Sequence, residues 1–102
     1  MKVLLQEQHM QVGLDEADLG QLLAGETVEN MTRFGGNGGW GTALSLHGGD
    51  QAVLLDGGTY CRLVLPREAV QGLAAGTAGL QFPLYLDDGT TLLQLHVVVG
   101  GQ

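Results

Sequence analysis

Apolar residues recur along this chain with two different periods, and the switch between them marks its elements. Met10, Val12 and Leu14 alternate with polar or small neighbours, as do Cys61, Leu63 and Leu65, the period of two expected of strands with one side on a core. Each run is followed by a short stretch of helical period. In the first, Asp15 is placed to cap, Glu16 and Asp18 favour the positive helix end, Leu19, Leu22 and Leu23 form an i, i+3, i+4 stripe, and Gly25 suits the left-handed stop. In the second, Pro66 is expected at the first helical position, Val70, Leu73 and Ala74 repeat the stripe, and Gly76 ends it. Gly20 and Gly72 each lower intrinsic helix propensity by up to about 1 kcal/mol relative to Ala, so packing must hold both helices.

Alternation returns after each helix. Strands are expected over Thr27 to Phe34 and Leu80 to Leu86, then over Trp40 to His47 and Leu92 to Val99. Asp87-Asp88-Gly89 is a hairpin signal for the last pair, and the looser Gly35-Gly36-Asn37-Gly38-Gly39 stands at the corresponding place in the first half. The order strand, strand, helix, strand, strand therefore runs twice, at a shift of 51 residues in a chain of 102. Leu14 falls on Leu65, Leu22 on Leu73, Ala24 on Ala75, Gly25 on Gly76 and Leu44 on Leu95. A unit of that size buries too little surface alone, which points to a pseudo-two-fold pair sharing one core. The expected fold is a single β-rich α+β domain over residues 1–102, an internally duplicated β-β-α-β-β unit, barrel-like or sandwich-like, with two short helices.

The second half also carries a resemblance. Cys61 to Val70 (Cys-Arg-Leu-Val-Leu-Pro-Arg-Glu-Ala-Val), then Gly76, Asp87-Asp88-Gly89-Thr90 and Leu93 to Val97, resembles the swapped-hairpin unit of AbrB-type and MazE-type proteins, in which a strand ending apolar-Pro-basic-Glu feeds a short helix and a hairpin. Two fused copies would be similar to a double-psi or related cradle-loop barrel. The first half resembles the start of a family of short bacterial proteins of unknown function, through Met1-Lys2-Val3, a strand entering a helix at Leu14, Gly25 with Val28-Glu29, and Thr32-Arg33-Phe34-Gly35. The AbrB-type resemblance implies a fold and not its DNA binding, because Arg62 and Arg67 are matched in the first half by Gln11 and Glu16.

Charge narrows the function classes. Lys2, Arg33, Arg62 and Arg67 stand against eleven carboxylates, for a net charge of −7. Nucleic-acid binders draw most of their affinity from cations that neutralise phosphates, and anionic membranes attract polybasic segments, so neither partner is expected. Gln6-Glu7-Gln8-His9 interrupts the apolar start too early for an export signal, and no apolar run approaches the roughly 20 residues that span a bilayer. With a single cysteine, Cys61, no internal disulfide can form, and a cytoplasmic setting is expected.

Several chemical motifs can be weighed. Gly36-Asn37-Gly38-Gly39-Trp40-Gly41 spells G-x-G-x-x-G, but a dinucleotide site needs a helix next and a strand is expected there. There is no Gly-Lys-Ser/Thr, and the only serine, Ser45, lies in a strand without a nucleophile elbow. Asp87-Asp88-Gly89 lacks the ligand spacing of a calcium loop, and Asn30-Met31-Thr32 is a glycosylation sequon by pattern alone. His47 and His96 end similar segments and would occupy near-equivalent outward positions; a metal site between subunits can be imagined there, but no further ligand has the spacing zinc requires. Cys61 shares the face of Leu63 and Leu65, which suits a buried, inert thiol better than a nucleophile.

No cofactor, metal or catalytic group is therefore assigned. The leading expectation is a non-enzymatic, cytoplasmic protein-interaction or self-associating module, with Arg33, Phe34 and Trp40, flanking the glycine-rich loop, as its contact residues. The alternatives are a small metal-binding or enzymatic module using His47, His96 or Cys61, and an antitoxin-like or regulator-like partner of a basic protein.

Overall fold

A computed structural model describes residues 1–36, 38–76, 78–85 and 92–100. The elements follow in the order β1 (Lys2–Gln6), β2 (His9–Leu14), α1 (Glu16–Leu23), β3 (Val28–Gly35), β4 (Gly38–His47), β5 (Val53–Asp56), β6 (Tyr60–Pro66), α2 (Arg67–Ala74), β7 (Leu80–Tyr85) and β8 (Leu92–Val99). The hairpin expected at Asp87-Asp88-Gly89 lies outside the described residues.

The strands form two four-stranded sheets, β1-β2-β8-β7 and β3-β4-β6-β5. Each combines a hairpin from one half of the chain with a hairpin from the other, and the two are joined at the centre by parallel pairs, β2 with β8 and β4 with β6. Within the second sheet β4 reaches its parallel neighbour β6 by way of the edge strand β5, and the two helices carry the chain between the sheets, from β2 to β3 and from β6 to β7. They also pack on each other, and the Arg67 guanidinium donates to the Leu23 carbonyl at 3.1 Å, satisfying one of the orphan acceptors at the end of α1.

Local chemistry accounts for both helix boundaries. Asp15 is the N-cap of α1: its carboxylate accepts from the Asp18 N–H at 2.8 Å, and Asp18 returns the bond from the Asp15 N–H at 3.1 Å. Pro66 ends β6 and serves as the N-cap of α2, one position before the helix, because its ψ of 128° is extended. It lacks a capping side chain, and the fixed proline φ of −62° sets the entry instead. Gly25 and Gly76 follow the two C-caps at φ +92° and +112°, a conformation that costs other residues strain.

The inward residues of both sheets and both helices form one core, including Val12, Leu14, Leu22, Leu44, Leu63, Leu65, Val70, Leu73, Leu84, Leu95 and Val97. Register shows how the halves correspond. Lys2↔Gly13 and Val53↔Val64 match at a shift of 51, whereas Val28↔Leu44 matches Leu80↔Val97 at shifts of 52 and 53. Leu44 therefore corresponds to Val97, not Leu95, and the constant shift read along the sequence drifts by two residues after the helices.

The N-terminal ammonium closes the structure near α1, 2.9 Å from Asp18 Oδ2. Burial, the largest influence on the Asp18 carboxyl, works to raise its pKa, but hydrogen bonds from the ammonium and the Asp15 N–H, with the ammonium charge, hold it below its ordinary value. A carboxyl lowered by folding contributes stability above its unfolded pKa of about 3.9 and loses it as pH falls through the folded value. Asp18→Asn should therefore destabilise the protein at neutral pH and flatten the acid limb of its stability profile, as read from urea midpoints between pH 2 and 7. In the core, Leu63→Ala should cost about 2–5 kcal/mol in the same assay, and Leu55→Ala on the exposed side of β5 only about 0.5 kcal/mol or less.

Candidate functional site

The four strands of β3-β4-β6-β5 share rows of side chains, because each in-register set of residues points to one face. Val28, Leu44, Leu63 and Leu54 form a row on the core side. Two residues further along every strand, the same face carries Asn30, Thr42, Cys61 and Asp56. In the other sheet the corresponding positions are Phe82, Leu95, Met10 and Leu5, all apolar. One sheet thus continues its core with four polar side chains where the other uses four apolar ones.

These four span a gradient of burial. Thr42 is 0% exposed, Asn30 and Cys61 are half-buried, and Asp56 is open to solvent. The Asn30 amide donates to the Met1 carbonyl at 2.7 Å, and Asp56 Oδ1 accepts from the Gly58 N–H at 2.8 Å. Thr42 Oγ1 has no hydrogen-bond partner among the described residues. Burial first, and the Asp56 charge second, raise the Cys61 pKa above its ordinary value, so the thiol is held protonated. That suits a hydrogen-bonding group and disfavours a nucleophile.

Trp40 stands beside this row, two residues before Thr42 on β4, half-buried and packed against the core. Arg33 and Phe34 lie further out, on a two-stranded extension. The pairing of β3 with β4 continues to Gly35↔Gly38, but β4 meets β6 only from Gly41 onward. The end of this hairpin therefore projects past the four-stranded part of its sheet, with a register shift between Arg33 and Gly35. Phe34 is 71% exposed there and lies against the face of Gly38 that Trp40 shares. The strand from Gly38 onward also removes the helix that the G-x-G-x-x-G spelling would need, although Asn37 is outside the described residues.

The two histidines are not brought together. His47 is in the sheet of β4 and His96 in that of β8, and by register Ala43, not His47, corresponds to His96. The expectation of near-equivalent positions is overturned by the two-residue drift. His47 is occupied by its own turn: the Gly49 N–H donates to Nδ1 at 2.9 Å, which leaves Nε2 to donate to the Gln51 carbonyl at 2.7 Å. His96 sits between Gln11 and Gln81 on the outer side of its sheet, where a groove of about 340 Å³ is lined by His9, His96 and three glutamines. Among the described residues, no three of His, Cys, Asp and Glu gather in a way that could hold a metal ion.

On the outer side of β3-β4-β6-β5, the Tyr60 hydroxyl reaches diagonally over β4 and donates to Glu29 Oε2 at 2.7 Å. That bond to a carboxylate, with a lesser contribution from burial, raises the tyrosine pKa. The pair ties an edge strand to the centre of its sheet.

Comparison of the chain with protein-family models, with curated proteins and with solved structures finds no match in any of them. The functional reading therefore rests on this chain's own residues. Sequence reading located Trp40 and Cys61 separately but missed their neighbours Asn30, Thr42 and Asp56. A polar residue in an alternating strand reads as outward, and only the pairing of four strands reveals a shared inward row. Cys61 should alkylate with iodoacetamide more slowly at pH 8 than a cysteine in a short peptide, and Asp56→Asn should speed the reaction by lowering the thiol pKa.

Proposed function

We propose that this protein is a non-enzymatic, cytoplasmic interaction module that contacts a second copy or a protein partner through the end of the β3–β4 hairpin. The projecting hairpin itself carries this reading: two-stranded ribbons are marginal in water unless something packs on them, and this one holds Phe34 in solvent. Arg33, Phe34 and Trp40 are of residue types enriched in interface hot spots. The same stretch is chemically set apart, since residues 30–49 contain no Asp or Glu in a chain of net charge −7. Direct nucleic-acid binding finds little support, with four dispersed cations of which Arg67 is engaged with the Leu23 carbonyl.

The architecture is read as a duplicated β-β-α-β-β unit with approximate two-fold symmetry, closed in the manner of a small barrel and akin to the swapped-hairpin proteins. The matched registers of the two halves support the duplication. Contacts between β5 and β7, and the Asn30 bond to the Met1 carbonyl, support closure at the two seams.

Sedimentation velocity and capture from a cell lysate, each run on the native chain and on Phe34→Ser, test the contact surface. The expected result is a dimer or a retained protein whose Kd rises roughly thirtyfold on substitution, the equivalent of about 2 kcal/mol. A monomer that retains nothing, or an association indifferent to Phe34, would overturn the reading.

A further inference from the structure

Among the described strands, the two sheets end in four edges: β1 and β7 in one, β3 and β5 in the other. An open edge presents unpaired N–H and C=O groups that template pairing with another chain, so folded proteins shorten their edges or place lysine or proline on them. β5 has four residues, β1 has five and carries Lys2, and β7 carries Pro83. β5 and β7 also lie against each other at one seam. β3 differs from all three: it has eight residues, Val28–Gly35, with neither lysine nor proline, and it pairs with β4 alone. At its own seam the Asn30 amide reaches the Met1 carbonyl, and beyond that bond every residue from Met31 to Gly35 is exposed.

The sequence of this edge is complementary to itself. Two copies of one strand related by a two-fold axis in the sheet normal pair antiparallel. With Met31 on that axis, Glu29 of each copy stands opposite Arg33 of the other, and Asn30 stands opposite Thr32. Glu29, Met31 and Arg33 share the outer face by alternation, with the Met31 thioether over Gly41, so two charge pairs flank a contact between methionines. The Tyr60 hydroxyl occupies Glu29 Oε2, which leaves Oε1 for a second donor. The register shift after Arg33 ends the regular part of the strand there, and Phe34 comes to the end of the ladder, towards Val28 of the second copy. Residues 30–49 contain no Asp or Glu, so two chains of net charge −7 meet here where their acid density is low.

We propose that a second copy of this chain adds its β3 to this edge, antiparallel and centred on Met31, joining the two β3-β4-β6-β5 sheets into one continuous sheet. The proposal rests on the hairpin contact described above and specifies its partner and geometry. Backbone bonds along the ladder supply affinity, and the two Glu29–Arg33 pairs select direction and register. A parallel in-register pairing would set like charges against each other. A slip of one residue would send the opposed charges to different faces of the sheet.

Arg33→Glu and Glu29→Arg are made separately, and sedimentation velocity is run on the native chain, on each variant and on the equimolar mixture of the two. The native chain is expected to dimerise. Either variant alone opposes like charges at both pairs, and its Kd should rise roughly tenfold. In the mixture Glu again meets Arg at both positions, and the mixed dimer should return to near the native affinity. Recovery requires both variants to be folded, which separates repulsion from misfolding. Amide hydrogen exchange on the native chain needs no substitution: alternate amides from Glu29 to Arg33 should slow as protein concentration rises. A monomeric native chain, a dimer that neither variant weakens, a mixture of folded variants that associates no better than each alone, or β3 exchange independent of concentration overturns the proposal. If Phe34→Ser still weakens a dimer or a captured protein in any of those cases, the hairpin contact stands and only this pairing falls.

Discussion

The parallel pairing of β2 with β8 and of β4 with β6 is the constraint on which the rest of the structure depends. Each pair joins strands from opposite halves of the chain, and His9↔Gln94 joins its two ends. Neither half can complete a sheet from its own strands, because β1-β2 and β3-β4 are two-stranded ribbons until the other half arrives. Loop closure over such separations must be met before any of these contacts contributes, so the fold is expected to form as one cooperative unit. The helices are short for the same reason. They bridge sheets that are held elsewhere, and they need only a capped start, a glycine stop and a stripe of leucines.

That dependence explains what could be read in the sequence. Asp15, Gly25, Val70 and Gly76 act through neighbours within a few residues, and their local signals placed both helices to within about one residue, Pro66 being the one shifted position. Strand alternation likewise gave the core positions Met10, Val12, Leu14, Leu63 and Leu65. What the sequence did not disclose was register between distant strands. A shift of 51 holds through β2, β6 and the helices but becomes 53 at β4 and β8, enough to send His47 and His96 to unrelated places. The row at Thr42 was hidden for the same reason, since its four members are drawn from four separate stretches and become neighbours only through pairing.

Burial of that row has a physical consequence for the chain. Replacing apolar contacts by a hydroxyl, a carboxamide and a thiol gives up hydrophobic stabilisation, and an unpartnered Thr42 adds a desolvation cost. The opposite sheet, with Leu95 and Phe82 in the matching positions, avoids both. Sequence constraints that weaken a core without helping the fold are expected at functional sites. Strain does not explain this one, since no backbone outlier occurs in the row: the only non-glycine residue with positive φ among those described is Glu7, in the β1–β2 turn.

The hairpin β3–β4 connects this interior feature to the surface. Following β3 from its start, the core-facing positions are Val28, which is buried, then Asn30 in the polar row, Thr32 and the exposed Phe34. On β4 they run from Leu44 through Thr42 to Trp40. The face is continuous, but the core beneath it ends near Asn30 and Thr42, so the aromatic side chains beyond that point keep the orientation of core residues without a complete core to cover them. A surface hairpin serving only as a turn would be expected to become polar where it leaves the body. This one carries Phe34 beside Gly38 and sets Trp40 opposite Thr32, and it has no carboxylate for twenty residues. A partner lying on that side would cover Phe34 and approach the border of the polar row at Trp40.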